Sequence, residues 1–283
     1  MYLPPIATMV EVDPMSMVFD NFPPSLSSSV SNIQQIVQDI FLSVRITIKR
    51  MEDLPSHLHR ISIIHLSNGC QLTLKQAPPS TSPVLQHERY CLDSEAASFS
   101  HLSRTKLPIP KILKQDKRSH RHGSLFLFTT TLPGISYASA LPYLSRSEHE
   151  DISQQIQSLR THINSHTSPR GTFGPAAMIA VNAGLSTWRQ AFKLMMDTVL
   201  LDGENMTVNL PYVEIREAVA VHSKALDGVR EARLVVLGLG RPENVLIERR
   251  TNDVVGLLDF GQALWGDVGF GEPEVCDGLR GLL

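Results

Sequence analysis

The run Leu257-Leu258-Asp259-Phe260-Gly261, with Arg241-Pro242-Glu243-Asn244-Val245-Leu246-Ile247 ahead of it, decides how the rest of the chain is read. Asn244 and Asp259 stand about fifteen residues apart, each attached to a short apolar run. A buried strand that delivers a carboxylate at its end suits a hard-cation ligand, and the glycine two positions on lets the chain turn away. Asn244 offers a neutral oxygen ligand. Plainer alternatives stay open for both: an Asp that closes a strand at a turn, and an Asn that occupies a turn after Pro242.

Working outward, 283 residues suffice for one large domain or for two lobes around a cleft. Hydrophobic residues make up 42% and charged residues 19%, the proportions of a soluble globular protein. A formal charge of -2 gives no electrostatic case for nucleic acid or an anionic membrane as partner. Three cysteines, Cys70, Cys91 and Cys276, are odd in number and widely spaced. They indicate neither a disulfide framework nor a zinc site, so a reducing compartment follows. The first thirty residues carry prolines and serines without a basic n-region or apolar core, and no stretch approaches eighteen uninterrupted apolar residues. A cytoplasmic protein is expected.

The patterning predicts a poorly ordered tail over residues 1–30. A short helix capped at Ser31-Asn32 should follow, running through Phe41 with Ile33, Ile36, Val37 and Ile40 on one face. Arg60–Leu66 and Gln71–Lys75 read as strands joined by Ser67-Asn68-Gly69-Cys70, a hairpin signal because Asn and Gly both tolerate positive φ. Alternation puts Leu72 and Leu74 on one face of the second strand, Thr73 and Lys75 on the other. Gln86 to about Ser103 reads as a helix, Ser124–Thr129 as a strand, and Leu132-Pro133-Gly134 as a turn or hinge. Helical patterns then dominate: one opened by a capping box at Ser147-Glu148-His149-Glu150, one from Thr187, and one from Pro211. Short strands are predicted at 233–237, 244–247 and 254–258. A strand-rich half at 31–131 joined to a helix-rich half at 132–283 gives an α+β, two-lobed class.

Two further residues invite chemistry. Lys75 can end an exposed strand or hold a phosphate, since its ammonium is a compact charge on a reaching stem. Glu95 falls between Leu92 and Phe99 on the apolar face of its helix, where a carboxylate needs a partner. Lys75 is the natural candidate, the alternative being a glutamate at the helix edge that reaches solvent. His57 and His59 share spacing with nothing ligand-like, and His120 and His122 lie in a basic run that reads as a solvated loop.

Taken in order, these blocks resemble the aminoglycoside phosphotransferase family of kinase-like proteins, in the divergent form common in filamentous fungi. The matching stretches are Leu74-Lys75, Val84–Arg89, Leu92–Ala96, Leu107–Pro110, Leu132–Gly134, Asp202–Met206 and Val255–Asp267, spanning residues 44 to 270. The resemblance implies a bilobal protein-kinase-like fold with ATP between the lobes and a small-molecule hydroxyl or amine as acceptor. It implies Lys75 for the nucleotide phosphates, Glu95 to orient it, and Asn244 and Asp259 as Mg²⁺ ligands. A place in a fungal secondary-metabolite pathway would accord with it.

The chain departs from the family pattern at three points. Where a catalytic Asp stands five residues before the Asn, it has Leu239, or Gly238 if one residue is inserted, and Leu237 stands where a His is usual. Glu52–His59, where a phosphate-covering loop is expected, contains no glycine. Only 22 residues follow Gly261, which makes the fold C-terminally short. Two readings follow: a divergent small-molecule kinase whose base is replaced by Asp267 or a water, and a pseudokinase module that binds without phosphotransfer.

Overall fold

The structure, a computed structural model, describes residues 26–78, 82, 84–116 and 125–271. Of the tail expected over residues 1–30, residues 1–25 lie outside the described residues, as do the basic run 117–122 and Cys276.

The first half is an antiparallel sheet with a helix on each face. Helix α1 (Leu26–Phe41) leads into β1 (Ile48–Leu54), β2 (Arg60–Leu66) and β3 (Gln71–Gln76); α2 (Cys91–Leu102), β4 (Ile112–Asp116) and β5 (Phe126–Thr130) follow. The strands lie in the order β1-β2-β3-β5-β4. The helix predicted to begin at Ser31 therefore starts at Leu26, inside the stretch expected to be a tail, and Ser31 and Asn32 are interior positions. Its stripe does what the spacing requires. Ile33, Ile36 and Val37 are buried against Ile64, Leu66, Leu72, Leu74, Phe126 and Phe128, each such side chain contributing about 1.5–3 kcal/mol of burial. Gln34 pins the helix to the sheet, donating to the Ile46 carbonyl and accepting from the Ile48 amide, both at 2.8 Å.

The β2–β3 turn keeps its predicted place but not its predicted geometry. Only Gly69 has positive φ, at 85°, while Asn68 stays in the ordinary region and accepts from the Cys70 amide through its side chain. Strand β1 escaped the sequence reading because it is an edge strand with mostly exposed side chains. It absorbs Glu52–Leu54, so the connection to β2 comprises residues 55–59 only.

The second half begins with β6 (Ile135–Ser136), α3 (Tyr137–Ala140) and α4 (Arg146–Asn164), then β7 (Gly174–Pro175), α5 (Ala176–Ala180), α6 (Trp188–Asn205) and α7 (Tyr212–His222). Strands β8 (Arg233–Val236), β9 (Val245–Ile247), β10 (Val254–Leu257) and β11 (Ala263–Gly266) complete it. Helix α4 does open with a capping box, but the N-cap is Ser145, paired with Glu148, rather than Ser147. Ile152, Ile156 and Ile163 of α4 join Trp188, Leu234, Val235, Leu264 and Trp265 in the main core.

Two small sheets, β10-β9-β6 and β7-β11-β8, line this half. The first matters most for function. Strand β6 pairs with β9 directly after the Leu132-Pro133-Gly134 connector, so the link between the halves is stitched to the β9–β10 hairpin. Gly134, at φ 112°, passes so near that a Cβ would lie 2.8 Å from the Ile247 carbonyl oxygen; no other residue fits there. Among the described residues, no helix is long and apolar enough to cross a membrane.

Candidate functional site

Lys75 projects from the α2 side of β3, because Leu72 and Leu74 have taken the α1 side. Across from it, α2 buries Glu95 to 2% exposure between Leu92 and Phe99. A carboxylate so placed needs a cation, and Lys75 supplies it: Nζ donates to Oε1 at 2.6 Å and to Oε2 at 2.9 Å. Neither the exposed strand-end lysine nor the solvent-reaching glutamate describes these residues.

Asn244 and Asp259 are brought together by the β9–β10 hairpin. Leu257 pairs with Val245, and the Leu258 amide donates to the Asn244 carbonyl at 2.8 Å, which sets the two side chains face to face. Asn244 Nδ2 donates to Asp259 Oδ2 at 3.4 Å. Asn244 also ends a 3-10 turn, Pro242–Asn244, so its turn role and its placement beside Asp259 are compatible. Asp259 is exposed and adopts φ 58°, a left-handed conformation that a non-glycine residue enters at a cost of about 1–2 kcal/mol. The amide of Gly261 donates to its Oδ1 at 3.4 Å and helps hold that turn.

The two pairs come near each other at Cys91. A Cβ on Gly261 would lie 3.1 Å from the Cβ of Cys91, one helical turn before Glu95 on α2. Burial pushes the Cys91 thiol up to about 12, and the carboxylates of Asp259, Glu88 and Glu95 push in the same direction against Lys75. One thiol thus feels members of both pairs. Phe260 anchors the turn from beneath: it is fully buried, with its ring centroid 5.0 Å from that of Phe99 on α2.

His59 is the residue the sequence reading passed over. Burial, followed by the charge of Lys75, lowers its pKa to about 4, while Asp259 acts the other way. Its imidazole therefore lies within electrostatic reach of both Lys75 and Asp259. Only the alternation of β2 beyond its first residue could have signalled this.

The base position differs from the pattern in place as well as in residue type. Leu239 is 5% exposed and belongs to the main core, and its carbonyl accepts from Arg160 Nη2 at 2.8 Å. Gly238, at φ 73°, lies under the Arg241 side chain, whose Nε would be 2.9 Å from an added Cβ. Asp267 stands at the opposite end of β8 from Leu239. Gly266 pairs with Arg233, at the start of β8, whereas Leu239 follows that strand's far end.

The donor set suits a hard cation that arrives with phosphate oxygens. Asn244 and Asp259 offer an amide oxygen and an accessible carboxylate, and Mg²⁺ commonly takes one or two carboxylates and completes its shell from phosphates and water. Among the described residues, no three His, Cys, Asp or Glu side chains gather into a cage that would hold a metal unaided.

The fold has known counterparts. A thermostable mutant of aminoglycoside phosphotransferase APH(4)-Ia, solved with AMP-PNP and hygromycin B, is similar with a TM-score of 0.58 and 17% identity, over 85% of this chain and 74% of that one. The APH(2")-IIa structure with streptomycin and ATP gives 0.53 and 17%, over 84% and 72%. A putative aminoglycoside phosphotransferase from Ralstonia eutropha gives 0.54 and 10%, over 85% and 67%. At these identities the likeness establishes the fold, which is the α+β phosphotransferase fold with a strand-rich first half and a helical second half. No curated protein matches the chain. The profile of the phosphotransferase enzyme family (APH) matches residues 62–270, and the chain belongs to that family.

Proposed function

We propose that the space between Lys75 and Asp259 binds a magnesium–nucleoside triphosphate, ATP in the simplest case, and that the protein phosphorylates a small molecule, slowly. The observation that carries this is the meeting of two pre-formed pairs, Lys75–Glu95 and Asn244–Asp259, around one accessible space. Glu95 holds the Lys75 ammonium in place, so its charge is aimed without reorganisation when phosphate arrives. Asn244 and Asp259 would hold the metal. Mg²⁺ held there would supply positive charge against the phosphates. The similar structures that contain a nucleotide beside an aminoglycoside support a cleft of this type, with a hydroxyl or amine acceptor.

The low rate follows from the catalytic loop. With Leu239 turned into the core and Asp267 at the other end of β8, neither position offers the acceptor a base, and its proton passes to water instead. General-base catalysis contributes roughly 10²–10⁴-fold, and that factor should be missing. The same observation favours a second reading, a binding module that retains the nucleotide and has lost transfer.

A thermal-shift titration with ATP and Mg²⁺, run beside Asp259→Ala, tests the site. Stabilisation in the parent that vanishes in the variant is expected; no shift at millimolar nucleotide would end both readings. Single-turnover transfer of the γ-phosphate to a panel of small hydroxyl and amine acceptors then separates slow kinase from binding module.

A further inference from the structure

The connection between β1 and β2 spans residues 55–59 and contains no glycine, so its amides cannot approach a phosphate as closely as a glycine-bearing turn would allow. The geometry on either side of it is tightly fixed. Asp53 and Ser62 are cross-strand partners, Ser62 Oγ donates to Asp53 Oδ1 at 2.6 Å, and Arg60 Nη2 donates to Oδ2 at 2.8 Å. These contacts commit Arg60 and Ser62 to one face of the sheet. Alternation then sends Ile61 and His59 to the other, which is the face of Lys75, since Ile61 is the register partner of Lys75. The half-buried imidazole accordingly lies in the fields of both Lys75 and Asp259, and neither ring nitrogen is hydrogen-bonded to a described residue.

We propose that His59 is a phosphate-binding residue of the nucleotide site, its ring N–H donating to the polyphosphate in place of backbone amides. This deepens, and rests on, the nucleotide-binding reading above. A neutral imidazole keeps one N–H to give, and an imidazole spends it only on an acceptor. Lys75, its neighbour, has only donors and is occupied by Glu95, and no described side chain accepts from the ring, so the N–H is left for solvent or for a ligand that displaces it. A di- or triphosphate brings such oxygens, together with negative charge that strengthens the bond. Adenosine brings no phosphate and no such charge.

The prediction is a dependence on phosphate, read by calorimetric titration of the whole chain with ATP, ADP and adenosine in Mg²⁺. His59→Leu should weaken ATP and ADP by roughly tenfold to a hundredfold, the size of a hydrogen bond to a charged group, and leave adenosine unchanged. His59→Gln, which restores an N–H of similar reach, should recover most of that loss, and melting curves of both variants check that the fold is kept. Two results would overturn the assignment while the nucleotide reading stands: ATP binding by His59→Leu equal to the parent's, or an equal loss for adenosine. If the parent binds no nucleotide at all, the site reading fails first and the assignment with it.

Discussion

Phe260 packs against Phe99 with ring centroids 5.0 Å apart, so helix α2 carries both the partner of Lys75 and the support for the turn that presents Asp259. Both rings are buried, Phe260 completely. One rigid element therefore sets the separation between the phosphate-side and metal-side residues. Truncating each ring to Leu should cost about 1–2 kcal/mol, in the range of buried hydrophobic swaps that alter shape. The double variant should lose less than the sum, by about 0.5–1.5 kcal/mol, the coupling of an aromatic pair. Urea midpoints of the two singles and the double measure it. Additive losses would mean that the two rings do not communicate.

The Lys75–Glu95 pair predicts an asymmetry. Lys75→Met strands a carboxylate at 2% exposure, and breaking a buried pair in this way costs about 3–5 kcal/mol. Glu95→Gln should cost less, about 1–2 kcal/mol, because the amide still accepts a hydrogen bond and the lysine, at 14% exposure, can swing its charge to water. Lys75→Met with Glu95→Leu should regain much of the first loss, since no lone charge is left behind. Chemical denaturation of the three variants checks the order, and equal costs for the two singles would contradict the geometry.

Restoring the absent acidic residue is expected to fail. An Asp at position 239 would enter the core that Leu239 fills, where Arg160, already bonded to the carbonyl of that residue, offers partial relief. Leu239→Asp should destabilise the protein by at least about 2 kcal/mol and leave γ-phosphate transfer unchanged, because the carboxylate would be buried in the core and out of an acceptor's reach. A gain in transfer of tenfold or more would show that the loop can turn outward.

The pH dependence of stability can be assigned a sign at the histidines behind α2. His101 lies edge-on to Trp265 at 4.7 Å and to His166 at 5.4 Å, while His166 stacks on His162 at 5.8 Å. Burial lowers the pKa of His101 and of His166, and the neighbouring imidazole lowers each further. The unfolded chain then binds protons more readily than the folded one below the ordinary value of 6.5. Stability is complete above that pH and declines as the pH falls through the window beneath it. Melting temperature should therefore drop between pH 7.5 and 5.5, and drop less in His101→Phe, a difference that cancels contributions common to both proteins.

How far the sequence carried the fold is clearest at particular residues. The β2–β3 hairpin and the Leu72/Leu74 face were legible because alternation and Asn-Gly are local signals. Edge strand β1 was not, since Ile48–Leu54 buries little and so shows no alternation. At α4 two overlapping capping boxes fit the letters, Ser145/Glu148 and Ser147/Glu150, and the extended backbone of Ser145 selects the first. For the site, the four proposed ligand positions could be read in sequence because each ends or interrupts an apolar run. The inward face of His59 showed only if the alternation of β2 was carried one residue beyond the strand, which the Arg60–Asp53 contact across two strands makes valid. The displacement of Leu239 into the core was equally hidden, for a leucine looks alike in a core and in a cleft.

Cys91 offers a direct probe of the seam where the Asp259 turn meets α2. It is buried, its thiol is pushed up to about 12, and it touches the position a Gly261 side chain would take. Thiolate is the reactive form, so at pH 8 only about one Cys91 in ten thousand is competent at any instant, before access is considered. Cys70, exposed in the β2–β3 turn, has no such protection. Brief alkylation with iodoacetamide followed by peptide mapping should modify Cys70 at least about a hundredfold faster than Cys91, and urea should erase the difference. Removing one of the negative neighbours with Asp259→Ala should speed Cys91 modestly without exposing it. If Cys91 instead reacts alongside Cys70 in the native protein, the turn opens away from α2 on the timescale of the reaction. In that case the Asn244–Asp259 pair is not held against the Lys75–Glu95 pair, and the pre-formed site on which nucleotide binding has been argued would not exist in solution.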